Sequence, residues 1–273
     1  TKAVISVHML GRPADMERIV AIARRHSVKV LEDSCQNNGG MYKGRRTGTW
    51  GDAGAFSLNY YKIISCGEGG ILVTNDEKIA ERAVIFHDSG TAFRPKAGEL
   101  TEPIFIAQQY RASEVMGAIA RIQLQRMDGI VADLQRVRRT IEAALAGEPG
   151  LRFAPSNDPD GDSGVVVAFQ FDTEAKARAF QQSPGVGGYV GIDHGKHVYT
   201  EWTPIREKRF MHHPAMNPFN FPQNKGLRAD YSDTACPRSL DLLRRTVFCS
   251  LDPDWTEQKV AEKIAAFKVA AKG

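Results

Sequence analysis

The first part of the chain alternates short apolar runs with helical patterns. Residues 3–9 and 28–31 are apolar runs bounded by polar residues or turn formers, and they predict buried strands. Between them, Pro13 opens a stretch whose apolar side chains recur at helical spacing as far as His26. A strand, a helix and a second strand in so short a span predict a βαβ unit, whose strands are parallel.

Two further apolar runs follow a glycine-rich polar connection at residues 39–52. In that connection, residues 42–44 favour a tight turn or a small hairpin. The runs at 53–58 and 70–74 predict two more buried strands. Residues 76–89 predict a short helix, and residues 91–106 lack a period and predict a loop.

The chain then changes to one long helical pattern. Apolar positions form a stripe from Ser113 to about Leu145, which predicts one bent helix or two that bridge domains or line an interface. Residues 147–164 are rich in Gly, Pro, Asp and Ser and are the candidate domain boundary. We therefore predict a large domain at 1–112, a connecting helical region at 113–150 and a small domain at 151–273.

The last part of the chain predicts a smaller α/β domain. Its predicted strands and helices are a strand at 165–171, a helix at 173–182, a helix at 239–245, a strand at 247–251 and a helix at 256–271. A long irregular stretch at 184–228 lies among them. The fold class predicted for the chain is α/β, with a mostly parallel sheet in its first domain.

Composition narrows the class of protein. The 273 residues are 42% hydrophobic and 25% charged, with a net charge of +4 and no basic block, so nucleic-acid binding is not indicated. The four cysteines form no CxxC pair and no metal-site spacing, which favours reduced thiols in a cytoplasmic protein. Apolar runs are too short to predict a membrane span, and no metal or membrane partner is expected.

Lys62 lies in the turn between two of the predicted strands and precedes the glycines at 67, 69 and 70. A lysine amine held away from bulk water reaches its neutral, nucleophilic form more easily. Glycines let the backbone turn tightly or approach a ligand closely. The alternative is an exposed lysine in a hairpin loop, the commonest environment of lysine.

Three other polar side chains fall at predicted strand ends. Asp33 follows one strand with Gln36 just beyond it, and Ser57 ends the next, so all three can converge with Lys62 at the carboxyl edge of the sheet. Pyridoxal phosphate needs such a set: a lysine for its aldehyde, a carboxylate for its pyridine nitrogen and donors for its phosphate. Each residue taken alone has an alternative interpretation. Asp33 could be a helix N-cap, Ser57 a strand-end hydroxyl and Gln36 a solvated amide.

The order of these motifs resembles the DegT/StrS family of sugar aminotransferases, which are fold type I pyridoxal phosphate enzymes. The matching segments are residues 32–36, 51–58, Lys62, 67–70 and 74–76, with further landmarks at 7–11, 14–16 and 110–114. The resemblance extends from Thr1 to about Arg139. It implies that Lys62 forms the Schiff base, Asp33 pairs with the pyridine nitrogen, Gln36 contacts the ring hydroxyl and Ser57 binds the phosphate.

The chain departs from the family pattern in two places. Gln109 stands where the family usually has an asparagine that reaches the partner subunit's cofactor phosphate, so the resemblance implies a longer amide there and a homodimer. Members also begin upstream of the position matching Thr1. The resemblance therefore implies a partial chain that lacks early strands, a phosphate-binding turn and the aromatic residue stacked on the cofactor.

The segment at residues 199–222 is long, rich in aromatic residues and without a period, which favours a functional loop or disorder. His212 and His213, together with Arg111, are candidate substrate contacts. The alternative is an irregular surface excursion. This segment is faintly similar to relatives that act on inososes or on a keto-octulosonate.

The function expected from the resemblance is transfer of an amino group from glutamate or glutamine to a keto sugar or keto cyclitol. A sugar dehydratase on the same scaffold is the near alternative, but relatives with that chemistry replace the lysine by histidine. A non-catalytic binding or regulatory domain is the alternative from another class. A nicotinamide-dependent oxidoreductase is poorly supported, because no GxGxxG motif follows the first predicted strand of this chain.

Overall fold

The chain folds into two compact units. The computed structural model describes residues 1–90 and 100–273. Each unit is made of three segments. Unit 1 consists of Thr1–Thr140, Pro155–Val166 and Leu251–Trp255. Unit 2 consists of Ile141–Ala154, Val167–Ser250 and Thr256–Gly273. The three-part division at 113–150 stays a prediction.

The strands and helices of unit 1 follow the predicted order closely. They are β1 (Ala3–Val7), α1 (Met16–Arg25), β2 (Lys29–Asp33), β3 (Met41–Tyr42), β4 (Arg45–Arg46), β5 (Ala53–Ser57), β6 (Gly70–Val73), α2 (Glu77–His87) and the start of α3 (Glu114–Ala144). The loop predicted at 91–106 lies partly outside the described residues. The pair β3 and β4 is antiparallel and is the small hairpin expected around Lys43 and Gly44.

The main sheet of unit 1 has the strand order β1-β2-β5-β6. Strands β1, β2 and β5 are parallel, and β6 runs antiparallel to β5. Val7 lies beside Asp33, and Asp33 lies beside Ala55, so the carboxyl ends of three strands meet at one edge. Ser57 pairs with Gly70, which brings the turn between β5 and β6 to the same edge.

One face of this sheet is covered by α1. The apolar side chains Met16, Val20 and Ala23 recur at helical spacing and pack with Val30 and Tyr42 in a buried cluster. Asp15 caps the helix by accepting a hydrogen bond from the Arg18 N–H. Burial of this apolar stripe holds α1 against the sheet.

The opposite face of the sheet is exposed, which corrects the prediction of fully buried strands. Ile5 is 67% exposed, Leu31 41% and Leu72 50%. Successive side chains point to opposite faces, so Val30 is buried while its neighbour Leu31 is not. A short apolar run predicts a strand but does not show whether one face or both are covered.

Unit 2 contains a second, smaller sheet of the order β7-β9-β8. Its strands and helices are the end of α3, β7 (Val166–Gln170), α4 (Glu174–Gln182), β8 (Tyr189–Val190), α5 (Thr203–Arg206), α6 (Pro237–Arg244), β9 (Thr246–Ser250) and α7 (Glu257–Ala270). The core contains three fully or almost fully buried aromatic residues, Phe169, Phe180 and Phe267. The centroid of the Phe169 ring is 5.0 Å from the centroid of each of the other two rings. These rings form the centre of the core of unit 2.

The stretch predicted as irregular at 184–228 is more ordered than expected. It contains β8 and α5 together with 3₁₀ turns such as Pro214–Met216 and Pro218–Asn220. Each of these turns is too short to leave a periodic signature in the sequence.

Two expectations from composition can be compared with the described residues. All four cysteines are free thiols. Within residues 1–90 and 100–273, no helix combines the length and apolar character needed to cross a bilayer.

Candidate active site

The candidate site lies at the carboxyl edge of the sheet in unit 1. Asp33 is the last residue of β2 and Ser57 the last residue of β5, and these strands are neighbours. Lys62 follows in the turn between β5 and β6, where its N–H donates to the Asn59 carbonyl over 3.0 Å. Strand pairing therefore brings these predicted site residues to one edge of the sheet.

The turn that carries Lys62 is anchored by apolar side chains. Leu58, Ile64 and Cys66 are buried and pack against side chains of α3, including Met116 and Met127. The Leu58 N–H donates to the Gly69 carbonyl over 2.8 Å, which closes the base of the turn. Burial on both sides of Lys62 fixes the backbone from which its half-buried side chain extends.

The Lys62 amine has no hydrogen bond or ion pair within the described part of the chain. Most buried or half-buried cations in proteins pair with a carboxylate or a carbonyl. An unengaged amine at a strand-end edge can act on a ligand as a nucleophile or as a base.

Asp33 uses one carboxylate oxygen to fix its own turn. Its Oδ1 accepts a hydrogen bond from the Cys35 N–H over 3.0 Å, and no helix begins there, so the N-cap alternative does not apply. The Cys35 thiol also hydrogen-bonds to this carboxylate. The backbone of its own turn therefore orients the Asp33 carboxylate.

The Cys35 thiol reports that Asp33 and Lys62 share one neighbourhood. Burial, hydrogen bonding to Asp33 and the negative charge of Asp33 together raise the pKa of this thiol to about 11. The positive charge of Lys62 acts on the same thiol and lowers its pKa. Both charges therefore lie within Coulombic range of the same thiol.

Gln36 is oriented by the turn that follows β1. Its Oε1 accepts a hydrogen bond from the Leu10 N–H over 3.1 Å. Leu10 has a positive φ of 54°, a conformation uncommon for a branched side chain. The Gln36 side chain is also partly buried, so it lies at the edge of the candidate site and is not the fully solvated amide of the alternative interpretation.

Ser57 is held by two amide groups. Its Oγ accepts from the Asn59 N–H over 3.3 Å, and its carbonyl accepts from the Asn38 Nδ2 over 2.9 Å. Asn38 is 2% exposed, and its Oδ1 is buried with no hydrogen-bond partner among the described residues. Sequence reasoning missed Asn38, and the only available signal was its place in a polar run between a strand and two glycines.

Gln109 and Arg111 lie in another part of unit 1. The Gln109 amide is 2.9 Å from the Ser89 Oγ, and the Arg111 Nε is 3.1 Å from the Asp88 Oδ1. Both side chains are exposed. Among the described residues these contacts group them with the end of α2, and their roles stay predictions.

His212 and His213 belong to unit 2. His213 Nδ1 accepts a hydrogen bond from the Ala215 N–H over 3.2 Å and caps the short turn Pro214–Met216. His212 is exposed. Substrate contact by either histidine stays a prediction.

Comparison with known proteins identifies the family. The profile of the DegT/DnrJ/EryC1/StrS aminotransferase family matches residues 1–184. GDP-perosamine synthase of Caulobacter vibrioides is 36% identical over 146 residues, which cover 54% of this chain and 38% of that protein. The dTDP-3-amino-3,4,6-trideoxy-alpha-D-glucose transaminase of Streptomyces venezuelae is 34% identical and covers 58% of this chain and 41% of that protein.

Solved structures confirm the predicted fold class. The aminotransferase from Psychrobacter cryohalolentis superposes with a TM-score of 0.76 over 98% of this chain and 68% of its own, at 24% identity. The match to the curated relatives spans about two-fifths of their length. Aminotransferases of this family are fold type I enzymes that use pyridoxal phosphate, as the motifs implied. The chain belongs to the DegT/DnrJ/EryC1/StrS aminotransferase family.

Proposed function

We propose that the protein is a pyridoxal phosphate-dependent aminotransferase that moves an amino group from glutamate or glutamine to a keto sugar or keto cyclitol. The observation that carries the proposal is the unengaged Lys62 amine at the same sheet edge as the Asp33 carboxylate. Two relatives named as makers of amino sugars support the substrate class.

The residues at this edge fit the cofactor. The Asp33 carboxylate, oriented by the Cys35 N–H, would hold the proton of the pyridine nitrogen. The Ser57 hydroxyl would donate to the phosphate, and Gln36, fixed by Leu10, would contact the ring hydroxyl. When bound, pyridoxal phosphate supplies an aldehyde that takes up the donor's amine and a ring that withdraws electrons from the donor's α-carbon.

Lys62 has two tasks in this proposal. Its Nζ would hold the cofactor at the aldehyde carbon, with loss of water, until the amine of the donor displaces it. Once displaced, the Lys62 amine would take the proton from the α-carbon of the donor and return it to the carbon that had been the aldehyde carbon of the cofactor. The buried anchors Leu58 and Ile64 keep the Lys62 backbone in place during both tasks.

Assembly as a homodimer is part of the proposal. The first half of α3 and the segment before it expose large apolar side chains, among them Tyr110 at 61%, Val115 at 70% and Ile122 at 49%. Apolar surface of this extent near Gln109 and Arg111 favours a covered interface. In the dimer, Gln109 would reach the cofactor phosphate of the partner subunit.

A half-reaction tests the function directly. The protein is loaded with pyridoxal phosphate and mixed with glutamate or glutamine in the absence of a sugar acceptor. We expect one equivalent of keto acid and one of pyridoxamine phosphate per site, measured by liquid chromatography. The Lys62→Arg variant, which keeps the charge, should form neither, and a wild-type protein that forms no keto acid with either donor would refute the proposal.

A further inference from the structure

A buried carboxylate lies directly behind the candidate site. Glu32 precedes Asp33 in β2, so its side chain points to the covered face of the sheet, where the residue is 1% exposed. Its Oε1 accepts hydrogen bonds from the N–H groups of Trp50 at 2.6 Å and Gly51 at 2.7 Å. The carboxylate thereby fixes the loop that leads into β5.

The second oxygen of Glu32 binds two more donors. Its Oε2 accepts from the Gly48 N–H at 2.8 Å and from His8 Nε2 at 3.0 Å. His8 Nδ1 itself accepts from the Ala14 N–H at 3.1 Å, so the ring proton is on Nε2 and points at the carboxylate. Burial would raise the pKa of Glu32, but the hydrogen bonds from His8, Gly51 and Gly48 outweigh it and lower the pKa.

Segment 8–10 connects this carboxylate to two candidate cofactor ligands. The His8 backbone N–H donates to the Asp33 carbonyl over 3.0 Å. Two residues later, the Leu10 N–H donates to Gln36 Oε1 over 3.1 Å. A displacement of His8 would therefore move the supports of both Asp33 and Gln36.

Loop 48–51, which Glu32 binds, is also packed closely against β5. A Cβ added to Gly54 would lie 2.0 Å from the Gly48 carbonyl oxygen, and one added to Gly48 would lie 2.4 Å from the Phe56 ring. Only glycine allows the two backbones to approach so closely. Strand β5, which packs against this loop, ends at Ser57, the candidate phosphate ligand.

From these contacts we infer that Glu32, together with His8, is a positioning residue of the candidate active site. It holds segment 8–10 and loop 48–51 in place, and through them it sets Asp33, Gln36 and Ser57 for the cofactor. This inference rests on the proposed function. The competing explanation is that Glu32 only stabilises the fold.

Asp52 offers a matched control. Its Oδ2 accepts from the Val30 N–H at 2.8 Å, and its Oδ1 accepts from Lys29 Nζ at 2.7 Å. It therefore joins the amino end of β2 to the residue that precedes β5, whereas Glu32 lies near the carboxyl end of β2. Loss of the Asp52 charge should lower stability without disturbing Asp33.

The test compares Glu32→Gln, His8→Asn and Asp52→Asn in the protein. Asparagine at position 8 can still accept the Ala14 N–H through Oδ1, but its side chain is too short to place a donor where His8 Nε2 meets Glu32, so it is the milder variant. The readouts are the urea midpoint, the Kd of pyridoxamine phosphate, and the absorbance maximum of bound pyridoxal phosphate. Pyridoxamine phosphate has no aldehyde, so its Kd reports the pocket without reaction at Lys62.

We expect Glu32→Gln and His8→Asn to weaken pyridoxamine phosphate binding about tenfold or more and to shift the absorbance maximum, as loss of outer-sphere partners does at other sites. Asp52→Asn should lower the urea midpoint while its Kd stays within about twofold of wild type. If Glu32→Gln does not fold, His8→Asn decides the question.

Two results overturn the inference. If His8→Asn and Glu32→Gln bind with wild-type Kd and spectrum, or change no more than Asp52→Asn at equal loss of stability, Glu32 is structural only and the proposed function stands. If the wild-type protein binds neither form of the cofactor, the proposed function falls and the positioning role falls with it.

Discussion

The Cys35 thiol is a chemical reporter of the charges in the candidate site, and Asp33→Asn should accelerate its alkylation. Burial, hydrogen bonding to Asp33 and the Asp33 charge together raise the pKa of Cys35 to about 11. At pH 8 the reactive thiolate is then about a thousandth of the population. Asparagine can still accept the Cys35 N–H, so the turn is kept while the negative charge is lost.

The size of the effect follows from thiol chemistry. Each unit by which the pKa falls raises the thiolate fraction about tenfold, while the lower basicity of the thiolate reduces its nucleophilicity about threefold. We therefore expect Asp33→Asn to react about three to four times faster for each unit of pKa lost. Lys62→Gln removes the charge that lowers this pKa, so Cys35 should react more slowly in that variant.

The assay is alkylation by iodoacetamide at pH 8 in the absence of cofactor, followed by peptide mass spectrometry of each cysteine. Cys249 is an internal control, because it is in unit 2, where burial raises its pKa to about 12. Its rate should be the same in all three proteins. If Cys35 reacts no faster in Asp33→Asn, or no slower in Lys62→Gln, the shared neighbourhood of the two charges is refuted.

The remaining predictions concern Asp33, Glu32, two glycines and the oligomeric state. Asp33→Asn should raise the activation free energy of transamination by about 3 kcal/mol, which slows the reaction roughly a hundredfold. Near-normal turnover in this variant would exclude the electrostatic role of Asp33. Glu32→Gln leaves two buried donors unpaired and should cost about 2–6 kcal/mol of unfolding free energy at pH 7. Because the folded-state pKa of Glu32 is lowered, its stabilisation is present above the unfolded pKa and lost as the pH falls, so the difference in urea midpoint between wild type and Glu32→Gln should shrink as the pH falls below the ordinary glutamate pKa of about 4.3. Gly54→Ala should destabilise the protein by about 1–3 kcal/mol in urea, whereas Gly117→Ala, which meets no atom within 4 Å, should not destabilise it. Sedimentation should show a dimer at micromolar concentration, and an active, cofactor-loaded monomer would contradict the role of Gln109.

Periodicity was sufficient to predict most of the fold. The long apolar stripe predicted α3, and the alternation of apolar runs with turn formers predicted β1, β2, β5 and β6. It could not show that Ile5 and Leu31 are exposed, because an apolar run looks the same whether one face of the sheet or both are covered. The two-residue strand β8 was too short to be predicted.

The candidate site was only partly predictable. Asp33, Ser57 and Lys62 were expected at one sheet edge because parallel strands end there, and the strand pairing agrees. The carboxylate of Glu32 could not be recognised, because a charged residue in a sequence carries no sign of burial. Its four donors come from positions 8, 48, 50 and 51, which only the folded chain brings together.

The identity of the lysine that reacts with the cofactor tests the central claim most directly. The protein is incubated with pyridoxal phosphate, reduced with borohydride, digested and sequenced by mass spectrometry. The proposal predicts one pyridoxyl group per chain, on Lys62, and none in the Lys62→Ala variant. A pyridoxyl group on another lysine of the wild-type protein, with Lys62 unmodified, would contradict it.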